Sequence, residues 1–253
     1  MNLQFDLSLG NGYKSTSQKI RVISESWFAQ NMYCPCCGNV KICHFKNNSP
    51  VADFYCENCN EQFELKSTDK KLGLKITDGA YSSAIERITS NTNPDLIVLQ
   101  YKEFEVSNLS LIPKFFFTPH IIEKRNPLGP NARRAGWVGC NILFGKIPLQ
   151  GKIPIVSSGK VIDRNEVVKS YQKSLLLRTN NIENRGWILD VLNCINDIQS
   201  EEFNLNDVYQ YAESLKLKHP DNNNIQAKIR QQLQFLRDRN LIVFLGRGKY
   251  RKI

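Results

Sequence analysis

The sequence lacks any apolar run close to the roughly 18 residues that a membrane-spanning helix needs. Its first residues, MNLQFDLSLG, have neither the charged start nor the long apolar stretch of a secretory signal peptide. It also has no internal repeat of solenoid or propeller length. These absences exclude membrane-spanning and repeat architectures, and they predict a cytoplasmic protein without a membrane partner.

Acidic residues are scarce relative to basic ones. The 253 residues include 24 Asp or Glu against 34 Lys or Arg, which gives a net charge of +10. Such a surface attracts polyanions, and nucleic acid is the leading candidate, ahead of an anionic membrane. Hydrophobic residues make up 41% of the chain, a composition that folds and excludes disorder as the main state.

Eight cysteines in a chain expected in a reducing compartment argue against a disulfide framework and for metal binding. Cys34 and Cys37 form one pair with two residues between them, and Cys56 and Cys59 form a second pair eighteen residues later. A two-residue gap lets one tight turn present two thiolates to the same ion, and Gly38 eases the first turn. The pattern predicts a structural Zn²⁺ site within an insertion at about 34–59. Buried or redox cysteines are the alternative.

Other potential ligands lie close to the two pairs. Cys36, Cys43 and His44 could substitute for one of the four, but the two-pair spacing favours the cysteines already named. Cys140 and Cys194 stand alone, and we expect them in the core.

The second cysteine pair lies inside a pattern of charged residues, Pro50-Val-Ala-Asp53 and, ten residues later, Glu64-Leu65-Lys66. Alternate side chains of a strand share a face, so Glu64 and Lys66 point the same way, and Asp53 on a neighbouring strand can meet them. Two carboxylates can hold Mg²⁺ beside a scissile phosphate, while a lysine positions or deprotonates the attacking water. The alternative is the exposed charged face of an ordinary strand.

Helical and strand-like patterns alternate in the N-terminal part, which predicts an α/β or α+β fold. The predicted helices run from Ser15 to Gln30 and from about Asp78 to Thr89. The predicted strands are Val51 to Tyr55, Gln62 to Ser67 and Leu96 to Tyr101.

A polar stretch from Arg178 to Arg185 separates this part from the tail, so we predict domains at 1–180 and 181–253. The tail predicts a helix carrying Trp187, a short strand at Phe203, a helix from Asp207 to Leu217 and a third helix after Asn224.

The third helix of the tail has the layout of a recognition helix. Its apolar residues Ile225, Ile229, Leu233 and Leu236 fall within one narrow arc. Four side chains on the other side are candidates for DNA contacts in the major groove: Ala227, Arg230, Gln231 and Gln234.

The end of the chain predicts a hairpin wing with a basic tip. Arg247 and Lys249 lie at this tip as candidate phosphate contacts, and residues 224–253 carry eight Lys or Arg and a single acid, for a net charge of +7. A winged helix that binds protein, with a merely solvated basic face, is the alternative.

A glycine-rich basic segment, Asn131 to Gly139, is a further candidate for DNA contacts. Arg133 and Arg134 can hold phosphates, and the two glycines permit close approach of a loop that presents Trp137 to DNA. A core tryptophan is the alternative, since tryptophans usually pack.

Asp53 with Glu64-Leu65-Lys66, and the zinc pair threaded between them, resembles the PD-(D/E)xK nuclease superfamily. The likeness is closest to the DpnI-type methyl-directed restriction endonucleases and covers nearly the whole chain. The stretches that carry it are VADFYC (51–56), FELKS (63–67), DGAY (78–81), ARRAGWVGCN (132–141), RGW (185–187), and KIRQQLQFLRD with GRGKYRK near the end.

The resemblance implies an α/β nuclease domain with an embedded four-cysteine zinc site, followed by an α+β winged-helix domain. It implies Mg²⁺-dependent double-strand cleavage of DNA at GATC sites containing N6-methyladenine, by an enzyme expected to act as a monomer. N6-methylation places a methyl group in the major groove, and on this substrate Trp137 is the candidate aromatic wall for the methyl group. The catalytic motif then falls on Asp53, Glu64 and Lys66, with the Leu65 carbonyl as a further Mg²⁺ ligand. A zinc-ribbon and winged-helix regulator without catalysis, and a repair nuclease indifferent to methylation, remain the alternatives.

Overall fold

The computed structural model of the protein describes residues 1–45 and 52–253. Pro50 and the predicted start of a strand at Val51 lie outside these residues. Within the described ranges the α-helices are α1 (Thr16–Asn31), α2 (Tyr81–Thr89), α3 (Arg164–Ser174), α4 (Ile182–Asp197), α5 (Leu205–Tyr209), α6 (Ala212–Lys218) and α7 (Ile225–Asp238). The strands are β1 (Cys43–His44), β2 (Phe54–Tyr55), β3 (Gln62–Thr68), β4 (Ile76–Ala80), β5 (Asp95–Lys102), β6 (Glu105–Ile112), β7 (Ile122–Lys124), β8 (Gly139–Ile142), β9 (Ile153–Ser157), β10 (Lys160–Val161), β11 (Glu202–Asn204), β12 (Ile242–Gly246) and β13 (Lys249–Lys252).

The chain forms two compact units, each assembled from separate segments. The first unit consists of Met1–Ile76, Ser90–Lys114 and Gln150–Leu175. The second consists of Thr77–Thr89, Phe115–Leu149 and Leu176–Ile253. The predicted domain division at residue 180 stays a prediction.

The first unit contains a mixed sheet in the order β1-β2-β3-β5-β6-β9-β10. Strands β3 and β5 pair in parallel, with Glu64 opposite Leu96 and Lys66 opposite Val98, and the other pairs are antiparallel. Residues Leu96–Leu99 of β5 are all buried, as expected for a central strand with a continuous apolar run.

Helix α1 covers one face of β3. Its buried residues Ile23, Trp27 and Phe28 recur at helical spacing and join the core of the unit. Ser24 is also buried, and its Oγ lies 3.1 Å from Ser67 Oγ on β3. The helix predicted over Ser15 to Gln30 is therefore confirmed within one residue at each end.

The second unit contains a small sheet in the order β4-β8-β7 together with α2. Here the sequence interpretation was partly wrong, because the helix predicted from Asp78 begins only at Tyr81 and Asp78 itself belongs to β4. The pairing that makes this segment a strand comes from β8, some sixty residues away, and local patterns do not contain it.

The remainder of the second unit is the predicted winged helix. Helices α4 to α7 precede and flank a three-stranded sheet in the order β11-β13-β12. Two expectations need correction. The polar stretch that ends at Arg185 already contains the start of α4, and the helix predicted from Asp207 to Leu217 is two helices, α5 and α6.

No helix in the described part of the chain is long and apolar enough to cross a membrane.

Candidate functional site

The four paired cysteines converge on one point in the first unit. The sulfur atoms of Cys34, Cys37, Cys56 and Cys59 all lie within 4.8 Å of one another. Cys34 Sγ is 3.6 Å from Cys59 Sγ, and Cys37 Sγ is 3.7 Å from Cys56 Sγ. Four ligands at a zinc–sulfur distance of about 2.3 Å lie about 3.8 Å apart in a tetrahedron. The cluster therefore fits a tetrahedral Zn²⁺ ion.

The two pairs are presented by turns of the same construction. In the first, Gly38 N donates to Cys34 O over 2.8 Å, and Gly38 has a φ of 78°. In the second, Asn60 N donates to Cys56 O over 2.8 Å, and Asn60 has a φ of 60°. Glycine and asparagine are the residues that best tolerate this left-handed conformation. The role predicted for Gly38 is confirmed, whereas Asn60 was missed although its type and position offered a signal.

The alternative ligands lie outside the cluster. The Cys36 thiol lies 3.4 Å from Asp95 Oδ2, and His44 Nε2 lies 3.4 Å from Glu25 Oε2. Cys43, in β1, is also not a member of the group of four. Within residues 1–45 and 52–253 the two-pair spacing thus identified the group correctly.

Asparagine amides face two of the sulfurs. Asn58 Nδ2 lies 3.4 Å from Cys37 Sγ, and Asn39 Nδ2 lies 3.8 Å from Cys56 Sγ. Such N–H donors reduce the mutual repulsion of four thiolates around one cation. The sequence interpretation did not identify them.

The surroundings of the cluster shift the pKa values of its thiols in opposite directions. A hydrogen bond with the Cys36 thiol lowers the pKa of Cys34 to about 5. Burial raises the pKa values of Cys56 and Cys59 above the ordinary range of a thiol. A divalent cation bound here would supply the positive charge that favours the deprotonated form of all four thiols.

Helix α3 supports the first cysteine turn. Gln172 Nε2 donates to Cys36 O over 3.0 Å, and the Arg164 guanidinium donates to Gly38 O. Arg164 also lies over the Tyr33 ring, 5.7 Å from its centroid. The turn is thereby joined to the body of the unit.

Asp53 is held against the strand that carries the other predicted catalytic residues. Its backbone N donates to Phe63 O over 3.0 Å, and its Oδ2 accepts from Leu65 N over 2.8 Å. Asp53 directly precedes β2, and the zinc-cluster residue Cys56 directly follows that strand. The two-residue strand therefore connects the carboxylate to the cysteine cluster.

Glu64 and Lys66 lie on the opposite face of β3 from the core. Lys66 Nζ is 2.7 Å from Glu64 Oε1, and the two side chains are 28% and 31% exposed for Lys66 and Glu64, respectively. Phe63 is fully buried and Leu65 packs against the core from a partly buried position. The predicted alternation along β3 is present, and both charged groups can be reached from solvent.

The segment carrying Trp137 extends the β7–β8 hairpin. Arg125 N donates to Gly139 O over 3.0 Å, Leu128 N donates to Trp137 O over 2.9 Å, and Gly136 N donates to Leu128 O over 2.9 Å. We call residues 125–138 the basic ribbon. Ribbons of two paired segments are narrow enough to enter the major groove of DNA.

Trp137 is half-buried, unlike Trp27 and Trp187, which are 3% and 0% exposed. Arg134 Cζ lies 4.7 Å from the Trp137 ring centroid, and Arg133 and Arg134 are exposed. The ring therefore belongs to the surface of the ribbon and not to a core.

The predicted recognition surface of α7 is exposed. Ile229, Leu233 and Leu236 are buried, while the four candidate DNA-contacting side chains lie on the solvent side: Ala227, Arg230, Gln231 and Gln234. Arg230 Nη1 is 2.7 Å from the hydroxyl of Tyr209, a partner that the sequence interpretation missed.

The basic tip of the wing lies between β12 and β13, as predicted. Arg247 and Lys249 are exposed, and residues 246, 247 and 248 have φ values of 96°, 48° and 73°. The left-handed turn projects Arg247 at the end of the hairpin.

The fold and these sites together are those of a DNA-binding enzyme with an α/β domain, which contains a four-cysteine cluster suited to zinc, and a helix-turn-helix domain. The chain matches the Dam-replacing family over residues 1–180 and the Dam-replacing HTH domain over residues 183–252. It belongs to this family, and it is therefore a DpnI-type, site-specific nuclease of the restriction endonuclease class with a C-terminal HTH domain.

Proposed function

We propose that the protein is a methyl-directed endonuclease that makes double-strand cuts in DNA at GATC sites containing N6-methyladenine. Asp53, Glu64 and Lys66 are its catalytic residues, Mg²⁺ is its catalytic ion, and Zn²⁺ in the cysteine cluster is structural. Membership of the Dam-replacing family supports the reaction class and favours it over a regulator without catalysis.

The observation that carries the catalytic assignment is the bond from Leu65 N to Asp53 Oδ2. In a paired strand the N–H and C=O of one residue point to the same edge, so the Leu65 carbonyl faces the side on which Asp53 lies. The two carboxylates and this carbonyl form a set of oxygen donors only. Mg²⁺ prefers such ligands, and the donor set therefore fits this ion.

The chemistry divides between the ion and the chain. Bound Mg²⁺ would supply positive charge beside the scissile phosphate, where negative charge develops as water attacks. Lys66 is oriented by Glu64, whose Oε1 lies 2.7 Å from its ammonium nitrogen. From this position Lys66 holds the attacking water or stabilises the developing charge. The water loses a proton to bulk solvent as the new P–O bond forms, the bond from phosphorus to the 3′ or 5′ oxygen breaks, and the leaving oxygen takes up a proton from solvent.

Two exposed surfaces of the second unit support sequence-specific binding. The exposed side of α7 offers Gln231 and Gln234, whose amides can pair with adenine, and the wing offers cations for phosphates. The half-buried Trp137 of the basic ribbon is the proposed wall for the methyl group. Apolar contact is what distinguishes an N6-methyl group from the hydrogen it replaces.

An Asp53→Asn variant tests the catalytic assignment. Asparagine retains an oxygen that can accept from Leu65 N but loses the charge that holds the ion, so cleavage falls on the order of 10³-fold while DNA binding stays unchanged. Asp69→Asn, at an exposed carboxylate just beyond β3, is the matched control and keeps full activity. Equal loss of binding and cleavage in Asp53→Asn would instead assign Asp53 a structural role.

Substrate choice is tested with one plasmid prepared with and without adenine methylation at GATC and incubated with protein and Mg²⁺. Cutting of the methylated form alone, into fragments that end at GATC, is the expected result. Equal cutting of both forms would identify a nuclease indifferent to methylation. Retardation of both without cutting would identify a binding protein.

A further inference from the structure

The backbone conformation of Gly139 does not require a glycine. It lies in β8, is buried, and its φ is outside the left-handed region that favours glycine. A Cβ atom at this position would lie 2.8 Å from both Cη2 and Cζ3 of the Trp137 ring. The aromatic ring itself therefore occupies the space that any side chain at position 139 would need.

The Trp137 ring has neighbours on other sides as well. Arg134 lies over the ring, and the Arg125 guanidinium lies 3.5 Å from the same Cβ position at Gly139. The backbone of Trp137 is held by two hydrogen bonds, from its N to Arg134 O over 3.0 Å and from Leu128 N to its O. The ring is thus held in one pose while part of it remains open to solvent.

We infer that Gly139 is a positioning residue that sets the pose of the Trp137 ring and thereby the discrimination of methylated from unmethylated adenine. The inference rests on the proposed function, in which the ring contacts the methyl group. A methyl contact requires the ring face at a fixed distance from the base edge, because a gap of about 0.5 to 1 Å already forfeits a quarter to a half of the dispersion energy. Since the added Cβ of Gly139→Ala would lie 2.8 Å from two ring atoms, the ring must shift to accommodate it.

The direct test is Gly139→Ala in the full chain. Gly129→Ala in the same ribbon is the matched control, because a Cβ there meets no atom within 4 Å and its φ is not left-handed. Affinity is measured for one GATC duplex with and without N6-methyladenine. In Gly139→Ala the preference for the methylated duplex falls on the order of tenfold, the discrimination that one apolar group in a fitted pocket supplies. Gly129→Ala leaves it unchanged.

Acrylamide quenching of tryptophan fluorescence reports the ring pose without DNA or activity. Trp27 and Trp187 are buried, so the quenchable emission of the three tryptophans comes from Trp137. Gly139→Ala increases this quenching and Gly129→Ala does not. If neither the quenching nor the methyl preference changes in Gly139→Ala, or if the ring moves and the preference stays, the inference is wrong.

Trp137→Phe provides the second background. Phenylalanine is smaller than the indole and removes Cη2 and Cζ3, so Gly139→Ala has no further effect on methyl preference in that background. The same double variant resolves a failure to fold: if Gly139→Ala alone misfolds and the Trp137→Phe background restores folding, the ring is the cause. If the double variant also misfolds, the strand requires the glycine and the inference is wrong.

A wild-type protein without methyl preference would overturn the proposed function, whereas the quenching result would still show whether Gly139 sets the pose of the Trp137 ring.

Discussion

The cysteine cluster and the surface of the C-terminal winged helix are built in opposite ways. In the cluster, four side chains from two turns point toward each other and leave room for a single ion. On α7 and the wing, the candidate DNA-contacting side chains are exposed to solvent. A metal ion is small enough to be enclosed by the protein. DNA is much larger, so the side chains that contact it must lie on the protein surface.

This difference determines where the binding free energy acts. A structural zinc ion contributes to folding, because its ligands are brought together only in the folded state. Cations on an exposed helix or wing contribute to folding little or nothing, and their effect appears when a phosphate releases its counterions. Variants in the two regions should therefore separate into effects on stability and effects on binding.

The largest effect is expected from Cys56→Ser. Loss of one thiolate removes much of an apparent zinc-binding free energy of about 10 to 16 kcal/mol, which matches or exceeds the whole stability of a typical domain. We expect the first unit to unfold and β2, which Asp53 directly precedes, to lose its register. Zinc content per chain and thermal unfolding followed by circular dichroism measure the result.

Cys43→Ser is the control for this variant, since Cys43 is half-buried in β1 and lies outside the cluster. It should retain one zinc ion per chain and an unchanged melting temperature. A Cys56→Ser protein that keeps its zinc and its stability would show that three sulfurs suffice. The fourth thiolate would then contribute little to the folding of the first unit.

An intermediate effect is expected at Asp190, which connects α4 to the end of α6. Its Oδ1 lies 2.6 Å from Lys218 Nζ, and its Oδ2 lies 3.0 Å from His219 Nε2. The Lys218 side chain is 34% exposed, so the pair is only partly buried, and loss of the Asp190 charge costs about 1 to 3 kcal/mol. Asp190→Asn should therefore destabilise the second unit by this amount at pH 7, without a direct effect on base reading.

The pH dependence of Asp190→Asn follows from the direction of the pKa shift. Burial opposes the charged form, but the hydrogen bond with His219 and the charge of Lys218 outweigh it and lower the pKa of Asp190 below the ordinary 3.8. A lowered folded-state pKa gives stability that is present above pH 3.8 and is lost as the pH falls through the folded-state value. The difference in unfolding free energy between wild type and variant should thus be flat from pH 7 to about pH 5 and shrink below pH 4. A difference that stays constant down to pH 3 would contradict this account.

The contrast also explains what could be predicted from the sequence. The cysteine pairs and the strand that carries Glu64 were predictable, because fixed spacing along the chain places these groups on one turn or one strand face. The predicted strand, Gln62 to Ser67, differs from β3 by one residue. Spacing along the chain is sufficient to predict a site when the ligand is small and a few neighbouring side chains bind it.

Features that depend on distant pairing could not be predicted in this way. Asp78 joins a strand because β8 lies beside it. The start of α5 at Leu205, two residues earlier than predicted, has a local cause, because Asn204 and Asp207 form a capping box. That signal was present in the sequence and was overlooked.

The smallest effect is expected from Arg247→Asn at the tip of the wing. Asparagine tolerates the φ of 48° at this position, so the variant removes a charge with little strain. If Arg247 neutralises one phosphate, Arg247→Asn makes the slope of log affinity against log salt shallower by about 0.9, and binding weakens by about 1 kcal/mol at physiological salt.

Lys102→Asn is the control for this variant. It removes the same charge at a side chain that is 83% exposed and should leave the slope unchanged. Equal changes in both variants would mean that the net charge of +10, and not the wing, governs the salt dependence. The folded stability of both variants should equal that of the wild type, which is the behaviour that separates this surface from the cysteine cluster.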